Sequence, residues 1–323
     1  MNDNREILCI YHGNCADGFG AAWAVWKRFP NAIFHAGVYG EVPPDTFNKH
    51  VVLVDFSYPP EVLKKMAKKA ASMLILDHHK SAKTAIDNFE NKEGQLFIDI
   101  SDWSRPLNWE RHLGNVYQDQ CEGIPTARIY TLFDMEQSGA MLAFRFFHPE
   151  KTIPAAISHI QDRDLWRFKI EGTREFQAAL FSYPYEFETW DMLFKMSAQT
   201  LIEEGRIIER KHFKDIAELL KVNARHMNIA GHWVWCANLP YTMASDACHE
   251  MCKWPIHPPH DDGLNAPLTP FSACYYDAKD KRVFSLRSEG DFDVSIIAQK
   301  YGGGGHKNAS GFSVPIGWGG END

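Results

Sequence analysis

In the first third of the chain, short apolar runs alternate with helical patterns. Residues 7–11, 32–38, 51–55 and 73–77 read as strands. Residues 17–29, stopped by Pro30, and 61–71, after a Pro-Pro turn, read as helices. Residues 95–100 and 128–133 read as two further strands. Strands separated by helices need crossover connections, so they pair in parallel, and a parallel sheet must be covered on both faces. The pattern therefore predicts an α/β fold. At 323 residues the chain exceeds one ordinary core, and two domains are expected.

Polar residues gather where the apolar runs stop. The first run leads into His12, Cys15 and Asp17, the third ends in Asp55, and the fourth ends in Asp77, His78 and His79. Ligands of an open parallel sheet bind at the carboxyl ends of its strands. Carboxylates that converge there need a compensating cation. Mixed His and Asp donors suit Mn²⁺, Fe²⁺, Co²⁺ or Zn²⁺, which points to a metal-dependent hydrolase acting on a phosphoryl group.

The rest of the chain is organised differently. Residues 102–126, with Trp103, Trp109, Pro106 and Pro125, break the rhythm and read as a surface insertion, a lid. Residues 138–147 and 154–162 read as helices. Residues 186–227 are charged, amphipathic and free of proline, a helical connector. Strand patterns return at 232–237, 272–276 and 282–286, and 317–323 is expected to fray. Gly302–Gly305 form the glycine run, whose consecutive N–H groups suit an anion nest, followed by the donor His306.

Lys and Arg number 34 against 42 Asp and Glu, a net charge of -8, which argues against coating long duplex DNA. No apolar run is long enough to span a bilayer, and the first residues do not pattern as a signal peptide. Seven scattered cysteines suit free thiols in a reducing compartment, so a cytoplasmic protein is the default expectation. Cys248, Cys252, His257 and His260 have the look of a zinc site, but residues 245–253 read as a helix and three prolines interrupt the histidines. Trp103, Trp109, Trp166, Trp233 and Trp235 are candidates for base stacking or simply for the core, Trp103 and Trp109 in the polar insertion being the better stacking candidates, and Lys64, Lys65, Lys68 and Lys69 read as a solvated face.

The DHHK at residues 77–80, together with GGGGHKNASG at 302–311, resembles the DHH/DHHA1 phosphoesterase superfamily. The resemblance implies a parallel-sheet DHH domain with flanking helices (1–185), the connector (186–227), a smaller mixed α/β DHHA1 domain (228–318), a tail (319–323) and an active site in the interdomain cleft. It implies that His12 binds a first metal, that Asp17 and His78 bind a second, and that Asp55 bridges both. His79 would face the substrate phosphate, supported by Asp77. The further aspartate is Asp162, with Asp164 as the alternate. Cys15 stands where the family usually has an aspartate. It is either a ligand, favouring Zn²⁺, Fe²⁺ or Co²⁺ over the family's Mn²⁺, or no ligand at all. Arg287, Gly303, Gly304, Gly305 and His306 would grip the substrate. The activity implied is exonucleolytic hydrolysis of short oligonucleotides, with cyclic or linear dinucleotides and pAp as alternatives, and a non-catalytic nucleotide binder as a second reading. A homodimer is a further expectation from this family.

Overall fold

The computed structural model describes residues 5–79, 82–83, 97–99, 129–255 and 268–321. The insertion at 102–126, with Trp103 and Trp109, and the pair His257 and His260 lie outside them. The chain divides into two compact units, Met1–Ile208 and Glu209–Asp323.

The first unit is built on strands β1 (Ile7–His12), β2 (Ile33–Gly37), β3 (His50–Val54), β4 (Ser72–Asp77), β5 (Phe97–Asp99) and β6 (Ile129–Phe133). All pair in parallel, in the order β2-β1-β3-β4-β6-β5. The two-residue period of the strands sorts their side chains. Leu8, Ile10, Val51, Leu53, Met73 and Ile75 pack under helix α2 (Pro60–Ala67) through Leu63 and Met66. Cys9, Val52, Val54, Leu74 and Leu76 face the other side. There they meet α1 (Ala16–Arg28), α3 (Gly139–Phe147), α4 (Ala155–Asp164), α5 (Thr173–Ser182) and α6 (Phe187–Leu193). Asp191 of α6 bonds Lys27 of α1 at 2.8 Å and Lys195 at 2.6 Å.

The connector pattern at 186–227 resolves into three pieces. After α6 the chain breaks, Ser197 Oγ accepts from Thr200 N at 3.1 Å, and α7 (Ala198–Asn223) begins. Met227, read as helical, belongs instead to strand β7 (Arg225–Ile229): Met227 and Ile229 are buried while their neighbours are not, a period of two. None of the helices among the described residues is long and apolar enough to cross a membrane.

The second unit is a mixed sheet, ordered β11-β12-β10-β9-β8-β7. Its members are β7, β8 (His232–Asn238), β9 (Ser272–Ala278), β10 (Lys281–Arg287), β11 (Gly304–His306) and β12 (Ala309–Pro315). Only β8 and β9 pair in parallel, and α8 (Ala244–Cys252) lies between them in sequence. Cys248 and Cys252 are buried on α8 in contact with the sheet. Cys252 Sγ reaches Ser272 Oγ and Arg287 O, both at 3.3 Å. Helix α9 (Val294–Lys300) covers the other face.

The tail expected to fray is docked as far as residue 321. Trp318 packs edge-on against Phe284 and Phe312, and Arg282 Nη1 donates to its carbonyl at 2.7 Å. Glu321 accepts from Tyr301 Oη at 2.6 Å and from Gly231 N at 2.9 Å. An aromatic slot and two donors overcome the intrinsic disorder of a glycine-rich end.

One close approach fixes α5 against α7. A Cβ on Gly205 would sit 1.6 Å from the carbonyl oxygen of Glu175. Gly205→Ala is therefore expected to destabilise the first unit by about 2 kcal/mol, read as a lower denaturation midpoint at unchanged m-value.

Candidate metal centre

In the order β2-β1-β3, the connections leave β1 and β3 in opposite directions, which opens a crevice at their carboxyl ends. His12 ends β1, Asp55 follows β3, and Asp77 ends β4 one strand further on. Asp55 sits in the left-handed region, φ 55, its N–H donating to Leu76 O at 2.9 Å. A non-glycine residue there stores about 1 kcal/mol or more of strain. The tight β1–α1 turn adds Asp17: a Cβ on Gly18 would lie 2.3 Å from the His12 carbonyl oxygen.

Asp17 is held from outside its own helix. Its two carboxylate oxygens accept from Gly139 N at 2.6 Å and Ala140 N at 3.0 Å, the first N–H groups of α3. Gly139 also makes room for Asp55, whose Cβ would be 2.3 Å from a Cβ at that position. Sequence reasoning missed this role. The available signal was Ser138-Gly139 at the head of an apolar helix.

His78 Nε2 lies 3.1 Å from Asp55 Oδ1, 3.5 Å from Asp164 Oδ2 and 3.6 Å from Asp17 Oδ2. His79 Nδ1 donates to Asp77 Oδ1 at 2.7 Å, and the same oxygen accepts from the backbone N–H of both His78 and His79. Asp77, fully buried, thus sets the tautomer and orientation of His79. His12 Nδ1 is 3.5 Å from Asp55 Oδ2.

The donors converge in two groups that share Asp55: Asp17, Asp55 and His78, and His12, Asp55 and His79. His12 Nδ1 and Asp55 Oδ2 are both buried, and among the described residues neither has a hydrogen-bond partner. An imidazole nitrogen and a carboxylate oxygen left bare side by side fit a divalent cation.

The electrostatics agree. Burial would raise the Asp55 carboxyl, but the imidazoles of His12 and His78, with His79, hold it well below the usual range. Asp17 moves the other way, pushed well up by burial and by Asp164 and Asp55, and burial and Asp55 also raise Asp164. Burial opposes charge on His78, yet Asp55, Asp17 and Asp164 more than reverse it and raise its pKa to about 10. Burial likewise opposes charge on His79, and Asp77 outweighs it, so that its pKa is raised.

One expectation changes, and the sequence leaves the role of Cys15 open. Asp162 does not reach the cluster: it accepts from Lys169 N at 2.8 Å, Ile170 N at 3.0 Å and Thr173 Oγ1 at 2.7 Å, shaping the loop after α4. Asp164 reaches it instead. Residues two apart on a helix point to nearly opposite sides, so only one of the pair faces the site. Cys15 belongs to neither donor group. Burial and the charges of Asp55, Asp164 and Asp17 push its thiol well up, so without a cation it keeps its proton.

In the second unit, Arg287, Tyr301, Gly303, Gly304, Gly305 and His306 line an open groove of about 630 Å³. Arg287 Nε donates to Ser245 Oγ at 3.3 Å and Nη1 to Leu286 O at 2.8 Å. The glycine run is not a free nest. Gly302, φ 74, donates to Gln299 O, and Gly303 donates to Ala298 O at 2.9 Å, a Schellman cap on α9. Gly303 has no space for a side chain, since a Cβ would meet Gly311 O at 2.1 Å. Gly304, Gly305 and His306 then pair with β12 as an edge strand. Asn308 Nδ2, at 3.0 Å from Ser288 Oγ, ties the following turn to the end of β10.

No family model matches the chain. An uncharacterized protein of Acanthamoeba polyphaga mimivirus is 27% identical over 342 residues, spanning 97% of this chain and 68% of that protein. A solved DHH domain, described as a member of the S1p family of ribosomal proteins, superposes with a TM-score of 0.50 at 14% identity, covering 95% of this chain and 82% of that one. A pGpG-specific phosphodiesterase from Vibrio cholerae matches at 12% identity over 97% of this chain and 94% of that one, with a TM-score of 0.32. The architecture is α/β, a parallel sheet with a mixed-sheet unit after it. The fold is similar to that of the solved DHH domain.

Two predictions separate the roles of these groups. Asp164→Asn is expected to weaken Mn²⁺ binding about tenfold or more by calorimetry with the melting temperature of the metal-free protein retained. Asp162→Asn should lower the melting temperature and leave the affinity close to wild type. The raised groups also fix a pH dependence. At neutral pH His78 carries a proton that a cation must displace, so affinity should climb between pH 6 and 8.5, by roughly tenfold per pH unit for each proton released. Titration in buffers of different ionisation enthalpy measures that release, and a pH-independent affinity would contradict the arrangement.

Proposed function

We propose that this chain is a divalent-metal-dependent phosphoesterase that hydrolyses short oligonucleotides to mononucleotides. One observation carries the reading: two donor groups share Asp55, with bare, buried His12 Nδ1 and Asp55 Oδ2 between their donors. Asp17, Asp55 and His78, with Asp164 beside them, would hold one ion. His12, Asp55 and His79 would hold the other. Divalent ions held there would supply positive charge to phosphoryl oxygens and lower the pKa of water.

The chain's own residues do the rest. Asp55, kept ionised by the imidazoles around it, is a fixed anion common to both groups. With His79 Nδ1 committed to Asp77, any contact of that ring with an ion or a phosphoryl oxygen is made through Nε2. The α3 N-terminus holds the Asp17 carboxylate in one orientation. In the second unit, Arg287 and the edge strand Gly304–His306 line a groove of their own, where the guanidinium suits a phosphate. Water forms the new P–O bond, the P–O bond to the departing nucleoside breaks, and that oxygen leaves protonated.

The test is product analysis with Mn²⁺ on labelled two- to seven-nucleotide RNAs, cyclic dinucleotides and pAp. Stepwise release of mononucleotides from the RNAs is expected, and Asp55→Asn should abolish it, a loss of at least about 10³-fold in kcat. Preferential opening of cyclic dinucleotides would move the substrate to that class, and absence of any turnover would overturn the reading.

A further inference from the structure

Tyr39 stands at the mouth of the metal centre, and neither the sequence motifs nor the donor groups account for it. It follows β2 in a turn closed by Glu41 N donating to Val38 O at 3.2 Å. Gly40, φ 87, holds the third position, as a type II turn requires. The ring packs at 4.7 Å, centroid to centroid, on Phe56, which is wholly buried, and at 5.5 Å edge-on to His12. Gly37 admits Phe56 there, since a Cβ at Gly37 would meet its ring at 2.8 Å. Gly13 N donates to Gly37 O at 2.9 Å and locks the β1 and β2 ends together. Tyr39 is therefore braced by two rings, yet 53% of it stays exposed.

We propose that Tyr39 is the platform on which the nucleoside attached to the reacting phosphate stacks, so that the site takes a nucleotide and not a bare phosphate chain. The inference rests on the phosphoesterase reading above. An immobilised ring loses little freedom when a base lies on it, and every base has a π-face to offer. Phosphate chains gain nothing from an aromatic face, and the buried carboxylate of Asp77, outside both donor groups, disfavours further anionic charge.

The experiment compares binding of AMP, ribose 5-phosphate and inorganic phosphate to the Mn²⁺-loaded full chain by calorimetry. Wild type should prefer AMP to ribose 5-phosphate by about 5- to 150-fold, the range of one base–aromatic stack. Tyr39→Ala should bring that ratio toward one and leave phosphate affinity in place. Tyr39→Phe, which keeps the ring, should restore the preference, and Tyr39→Leu, apolar without a π-face, should not. A preference retained in Tyr39→Ala, a Tyr39→Phe that behaves like Tyr39→Ala, or a wild type that ignores the base would each overturn the proposal. Melting curves check that every variant folds. Hydrolysis of short RNAs by wild type is scored separately. Turnover with a Tyr39-independent preference sinks only this inference. A ring-dependent preference without turnover sinks only the phosphoesterase reading.

Discussion

Three carboxylates within 3.6 Å of one imidazole nitrogen are the constraint on which the first unit depends. Asp17 and Asp55, both buried, and the more exposed Asp164 cannot all stay ionised at such separations unless positive charge is placed among them. In the protein alone His78 meets part of that demand by holding its proton, and raised Asp17 and Asp164 carboxyls meet more of it. Cations relieve all three at once. The surrounding structure bears the cost of holding these groups together.

That cost is visible in the backbone. Asp55 occupies a left-handed conformation, Gly139 and Gly18 give up side chains so that Asp55 and His12 fit, and the first N–H groups of α3 are spent on Asp17. Each device comes from a different stretch of chain, and each presses on a neighbour. The site rests on the sheet: alternate residues of β1, β3 and β4 fill the two faces, and the polar residues that end those strands have one edge left to occupy.

The second unit uses glycine for packing as much as for binding. Gly302 ends α9, Gly303 lets β12 approach, and the strand Gly304–His306 emerges as an edge beside Arg287. A nest reading of four glycines misses this, because helix capping and strand pairing both depend on residues three to eight positions away. Trp318 and Glu321 behave similarly. The slot between Phe284, Phe312 and Tyr301, distant in sequence, orders the tail.

The alternation of apolar runs and helices, and the His and Asp residues where the runs end, were written in the chain itself. A two-residue period fixes which strand residues face each layer, and parallel pairing puts His12, Asp55 and Asp77 at one edge. The choice of Asp164 over Asp162, the recruitment of Gly139 and the position of Tyr39 were not. Each depends on the rotation of a helix or the path of a turn relative to a distant strand end. Such angles are set by the packing of side chains from separate segments, and no local pattern carries them.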